Sequence, residues 1–173
     1  MDFNNKENRE FLMGAFPNLR NDSNFIVNSP NTAVYNCIAF AMRLQDRWVD
    51  HNISCPGHWW PPISDCSMKK ESLVRAFEYL GFTVCANADM EEGFDKVVLF
   101  CDDNDNWTHA ARIVAKGIEH SKFGQKWDAF HSGNDIFIGS CYGHEFAYMK
   151  RLIADRVLSE RLLTNIGSIQ IVA

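Results

Sequence analysis

The reactive chemistry of this chain starts from one thiol and one imidazole. Cys37 lies in Val34-Tyr35-Asn36-Cys37-Ile38-Ala39-Phe40-Ala41-Met42, behind the polar run Ser29 to Thr32 and at the head of a stretch of good helix formers. A thiol in the first turn of a helix feels the positive end of the helix dipole, which favours the nucleophilic thiolate. The proton must go to a base, and Trp107-Thr108-His109-Ala110-Ala111-Arg112-Ile113-Val114 offers His109 near the start of a short apolar strand. Cysteine on a helix start followed by histidine on a later strand is an order that nucleophilic thiol enzymes use. The competing reading is structural. Free cysteine is among the most buried residue types, five further cysteines (Cys55, Cys66, Cys85, Cys101, Cys141) have no evident chemistry, and a lone histidine in an apolar strand is usually a hydrogen-bonded core residue.

A third group has to orient the imidazole from the next strand. His120 is the first candidate, because a histidine accepts or relays a hydrogen bond; Ser121 is the second, and the neighbouring Lys122 stays open because the strand register is not fixed by sequence. Attack on a carbonyl also needs oxyanion donors, for which the backbone N–H of Cys37 and the side chain of Asn36 or Asn31 are candidates. Trp59 and Trp60, in the breaker-rich loop Cys55 to Pro62, are candidates for a substrate-binding wall; a loop pinned to the core by its aromatics is the alternative.

Along the chain, helices come first and strands follow. A short helix is expected over Phe11 to Phe16, ending before Pro17. The stretch 34–49 reads as the cysteine helix, with Ile38, Met42 and Val49 on one face. Ser67 is expected to cap a second helix whose apolar stripe runs through Leu73, Ala76, Phe77 and Leu80, with Gly81 as its stop. Strands are expected at Phe82 to Ala86, Lys96 to Cys101, His109 to Ala115 and Gly117 to Lys122. Ile136 to Gly139 is a loop or short strand, 145–164 carries a helical pattern, and Ile169-Gln170-Ile171-Val172 reads as a terminal strand or tail. The fold class is α+β, with the cysteine helix packed on an antiparallel sheet. One domain over 1–173 is expected: a polar extension 1–33, a core 34–151, and a helix and tail 152–173.

Bulk properties narrow the function classes. The chain has 173 residues, 46% hydrophobic and 13% aromatic, which is globular rather than disordered. Its net charge is −5 with a pI near 5.6, and no basic cluster exceeds Met149-Lys150-Arg151, so no nucleic-acid partner is expected. No apolar run reaches membrane-spanning length, and the amino terminus lacks a signal-peptide core. The expected location is the cytoplasm, or export without a cleavable signal, with reduced thiols. No cofactor is expected. Cys55, His58 and Cys66, with His51 nearby, have partial zinc-like spacing, but the second ligand pair is incomplete, so no metal is expected.

The blocks Tyr35-Asn36-Cys37-Ile38-Ala39, Trp59-Trp60-Pro61, Thr108-His109-Ala110-Ala111-Arg112, Ser121-Lys122-Phe123-Gly124, Tyr142-Gly143 and Tyr148-Met149-Lys150-Arg151 occur in one order. In that order they resemble an uncharacterised bacterial domain family over roughly residues 34–151. The cysteine-then-histidine layout is similar to the papain-like and NlpC-like superfamily of cysteine peptidases, amidases, transglutaminases and deamidases. That resemblance implies a hydrolase or acyltransferase acting on an amide bond of a protein, peptide or peptidoglycan substrate through a thiolate–imidazolium pair. It also places a polar third residue in the His120 to Lys122 region. A strict papain pattern has a glutamine ahead of the cysteine; here Asn31 and Asn36 stand instead. A bacterial effector or toxin, with an immunity or regulatory protein as partner, is the biological setting expected. The alternative is a non-catalytic interaction module of immunity or adaptor type with buried structural cysteines.

Overall fold

The run Val97 to Cys101 is apolar on both faces, so as a strand it has to be covered on both sides. In the computed structural model, which describes residues 1–133 and 135–169, it lies inside a seven-stranded antiparallel sheet. The chain runs through α1 (Lys6–Ala15), a 3-10 turn (Pro17–Asn21), β1 (Ile26–Val27), α2 (Cys37–Ala41), β2 (Trp48–Val49), β3 (His58–Trp59) and α3 (Lys70–Tyr79). It continues through β4 (Thr83–Cys85), β5 (Phe94–Cys101), β6 (Trp107–Ala115), β7 (Ile118–Lys122), β8 (Asp128–Ser132) and β9 (His144–Leu152). A 3-10 turn (Ile153–Arg156) leads into α4 (Val157–Ile169). The sheet order is β1-β8-β7-β6-β5-β9-β4, and β2 and β3 form a small parallel pair apart from it.

Strand alternation sorts the core into two clusters. Val97, Leu99, Ala110 and Met149 pack with α2 and α3. Val98, Phe100, Ala111, Ile113 and Ala129 pack with Leu12, Phe16 and Leu19 of the amino-terminal elements. The α+β class with an antiparallel sheet is therefore what the chain adopts.

The structure departs from the sequence expectation in α2, β9, β1 and β8, where tertiary contacts override local pattern. The cysteine helix is five residues long rather than extending to 49. Arg43 takes φ 64°, and the guanidinium of Arg112 caps the Phe40 carbonyl from β6 while lying 3.7 Å over the Phe40 ring. Arg43 is thereby turned to chelate Asp95, which Arg156 also grips. Second, 145–152 is strand, not helix. Paired on both sides, by β4 and by β5, it supplies hydrogen bonds that β5 would otherwise lack. Helical structure begins only at Ile153, as the 3-10 turn that leads into α4. Third, β1 and β8 close the far side of the sheet where no strand was expected. The cap of α3 is Lys69, not Ser67, although the Ser67 hydroxyl accepts from the Lys69 N–H at 3.2 Å. Ile136 to Gly139 is a turn. The expected terminal strand from Ile169 to Val172 lies, past Ile169, outside the described residues.

Candidate active site

Asn36 sets the geometry of the thiol. Its Oδ1 accepts from the Ala39 N–H at 3.0 Å, the standard N-cap contact, and from the Val49 N–H at 3.3 Å, while Nδ2 donates to the Val49 carbonyl at 2.7 Å. Both polar atoms of the side chain hold α2 on β2. Asn36 thus positions the cysteine, with one Nδ2 hydrogen left uncommitted for the oxyanion role expected from sequence. Cys37 follows at the first helical position and is 7% exposed. Burial pushes its thiol up to about 11, against the N–H groups of Ala110, Ile38 and Cys37 itself and the charge of Lys122, all of which favour the thiolate.

Lys122 is fully buried on the same side. Its Nζ donates to the carbonyls of Thr32 at 2.8 Å and Gly124 at 2.6 Å and sits 5.1 Å from the centre of the Tyr35 ring. Burial brings this amine down to about 8. The lysine ties the segment entering Cys37 to the β7–β8 turn.

His109 is also fully buried, with its ring among Phe100, Phe123 and Phe137 and stacked on Tyr142 at 3.9 Å. It therefore belongs to the second core cluster, whereas Cys37 belongs to the first. They pack on opposite faces of β6, and no hydrogen bond joins the Cys37 sulfur to the His109 ring. The β6–β7 ladder runs no closer to His109 than Arg112↔His120, and there the Ala110 N–H, one residue on from His109, reaches the Cys37 sulfur. The Tyr142 hydroxyl, pushed well up by burial, also feels the charge of Cys37.

The hydrogen bonds of His109 fix its tautomer. His131 Nδ1 lies 2.7 Å from the Ser132 carbonyl, which can only accept, so Nδ1 carries the proton. Burial brings His131 down to about 4, so the ring is neutral and its Nε2 is bare. The Ser121 hydroxyl donates to that nitrogen at 2.7 Å, and its oxygen is left to accept from His109 Nε2 at 2.9 Å. His109, held well below its usual value by burial and then by His131, is neutral. Its Nδ1 is a bare lone pair, buried and without a hydrogen-bond partner.

The third group bonded to His109 is thus Ser121, not His120. Since β7 alternates, His120 points to the α2 side, where its Nε2 meets Asp128 at 2.6 Å and its ring lies edge-on to Phe40. The thiolate–imidazolium ion pair expected from sequence is not the resting state either, because burial neutralises both partners. Trp60 is a core residue at 5% exposure, stacked on Trp107 with its indole N–H on the Asp65 carbonyl, so it is no substrate wall. Trp59 is half-buried under the Arg47 guanidinium. Beside the segment entering Cys37 opens a cavity of about 480 Å³, lined by Ala33, Val34, Trp48, Pro56, His58 and Gln125.

All six cysteines are free thiols. Among the described residues no group of three or more His, Cys, Asp or Glu is arranged to hold a metal. Sequence reasoning missed His131 and Tyr142. The period-two placement of Ala129 and His131 in Asp128-Ala129-Phe130-His131-Ser132 was a signal for the first; nothing local marks the second. Among the described residues no helix is long and apolar enough to cross a membrane.

Fold and site together define a mixed α+β domain in which a capped cysteine helix lies against the histidine strand of an antiparallel sheet. The model of a domain of unknown function, DUF7689, matches residues 26–150, and the chain belongs to that family. The match begins at β1 and ends within β9, so it takes in Cys37, His109, Ser121 and His131. No curated protein and no solved structure matches the chain.

Proposed function

We propose that this domain is a papain-like or NlpC-like thiol hydrolase or acyltransferase acting on an amide bond. Cys37 is the nucleophile, His109 the general base, and Ser121 and His131 position the base. The observation that carries the reading is the Ser121–His131 bridge, which leaves His109 Nδ1 as a buried lone pair with nothing to accept. The large majority of buried side-chain nitrogens are hydrogen-bonded, so a bare Nδ1 calls for a role.

The resting pair is neutral, so the proton moves during attack. Cys37 and His109 pack on opposite faces of β6, so the pair acts only once Sγ and Nδ1 come within reach; the thiol proton then passes to Nδ1 as sulfur bonds to the carbonyl carbon, with the Cys37 N–H supporting the oxyanion. The imidazolium then protonates the leaving amine, giving a thioester that water or an amine resolves. Substrate enters by the 480 Å³ cavity beside Val34. A protein, peptide or peptidoglycan chain is the substrate class, and an effector or toxin role, countered by an immunity or regulatory protein, is the biological setting.

The near-complete burial of both groups favours a second reading, a non-catalytic interaction module with a structural cysteine. Acylation by p-nitrophenyl acetate separates the two. The catalytic reading expects an acetyl adduct on Cys37, absent in Cys37→Ala and slowed about 10²- to 10⁴-fold in His109→Gln. Adducts confined to the exposed Cys66 and Cys141 would leave the binding module.

A further inference from the structure

The β6–β7 turn encloses a second polar feature that the thiol chemistry does not use. Glu119, on β7, is 4% exposed, and no donor reaches its Oε2. A carboxyl buried without a cation either holds its proton or needs a positive charge to compensate it once ionised. Among the described residues no arginine, lysine or histidine bonds or ion-pairs with it. The other charge acting on it is that of Glu145, of the same sign, and burial followed by that repulsion raises its carboxyl to about 8.

This carboxyl also faces a space. A cavity of about 240 Å³ is lined by Asp89, Lys116, Gly117, Ile118, Glu119 and Gly133. Gly133 leaves the carboxylate room, since a Cβ there would come within 2.9 Å of Glu119 Oε1. The Gly133 N–H on the Gly117 carbonyl at 2.9 Å braces the wall. An unpaired acid is thus held at the edge of a small chamber whose mouth carries a second carboxylate, Asp89, with Lys116 opposite to it in charge.

We propose that this cavity binds a small primary ammonium ion, with Glu119 as its counter-ion. Three N–H donors on a compact head match an acceptor-only carboxylate, and a chamber of this size takes an alkyl diamine but no folded partner. Glu119 neighbours His131 in the β7–β8 ladder but its carboxyl bonds none of Cys37, His109, Ser121 or His131, so ammonium binding is read independently of the catalytic reading.

The test is calorimetric titration of the intact chain at pH 9 with cadaverine, Nα-acetyl-lysine amide and 1-pentanol. Saturable one-to-one binding of cadaverine, absent for pentanol, is expected. Glu119→Gln should weaken it about ten- to a hundredfold, the worth of one charge-assisted contact. Gly133→Ala, which keeps the charge and fills the space beside it, should weaken it as well. Acetyl-lysine amide binding as tightly as cadaverine would assign the site to a protein lysine side chain instead of a free amine. No saturable heat, equal binding of pentanol, or full affinity in a folded Glu119→Gln would overturn the proposal.

Discussion

Replacing Ser121 with alanine tests the hydrogen-bond bridge in two independent ways. The hydroxyl is fully buried and serves two rings, accepting from His109 Nε2 and donating to His131 Nε2. Its removal leaves one buried N–H and one buried lone pair unpaired, each costing about 1–3 kcal/mol. The methyl that remains fills part of the space, so a loss of about 2–4 kcal/mol is expected, read from the urea midpoint at unchanged slope. The second effect is chemical. Without Ser121 the His109 proton is free to move to Nδ1, and in the proposed mechanism that tautomer has no lone pair for the Cys37 proton. Acylation of Cys37 should therefore fall about 10²-fold or more, even at low urea where the variant is folded. A Ser121→Ala variant within about 0.5 kcal/mol of the parent and with unchanged acylation would refute the tautomer argument.

Alkylation of Cys37 by iodoacetamide should rise about tenfold per pH unit through pH 9, because burial holds the thiol near 11; a plateau between pH 5 and 8 would indicate a thiolate–imidazolium pair instead. His131 falls from 6.5 to about 4 on folding, which at about 1.4 kcal/mol per pH unit is about 3 kcal/mol. The unfolded chain takes up that proton first, so this contribution is whole above pH 6.5 and is lost between 6.5 and 4, measured as the difference in denaturation between parent and His131→Gln. Glu119 has the opposite sign: its carboxyl rises from 4.5 to about 8, so the parent loses stability over that range and Glu119→Gln should not. Asp95 is pulled up by burial but held at about 2 by Arg156 and Arg43. Arg43 and Arg156 are each about a third exposed and stay solvated, so Asp95→Asn should cost about 1–2 kcal/mol, read as a lowered thermal midpoint.

Local pattern reached part of this molecule. Cys37 at a helix start was legible because Asn36 is a strong cap and Ile38 to Ala41 follow it without a breaker. β5 and β6 were legible because a run covered on both faces has no polar alternation to confuse it. The 145–152 segment was misread for a physical reason. Phe146, Met149 and Leu152 fit a helical period, yet the open edge of β5 offered a full ladder, and paired backbone outweighed propensity. The length of α2 was misjudged likewise, since its end is imposed by Arg112, a residue 72 positions away from Phe40.

At the site, sequence by itself determined the inventory: a capped thiol, an imidazole on a later strand, and polar residues after it. Which of those polar residues touches the imidazole was decided by register, because a one-residue step along β7 moves a side chain to the other face of the sheet. Only the tertiary structure placed Ser121 beneath His109, brought His131 from β8 to the far side of that hydroxyl, and buried the pair deeply enough to make it neutral. Charge state and tautomer depend on surroundings assembled from distant strands, and no local stretch of residues contains them.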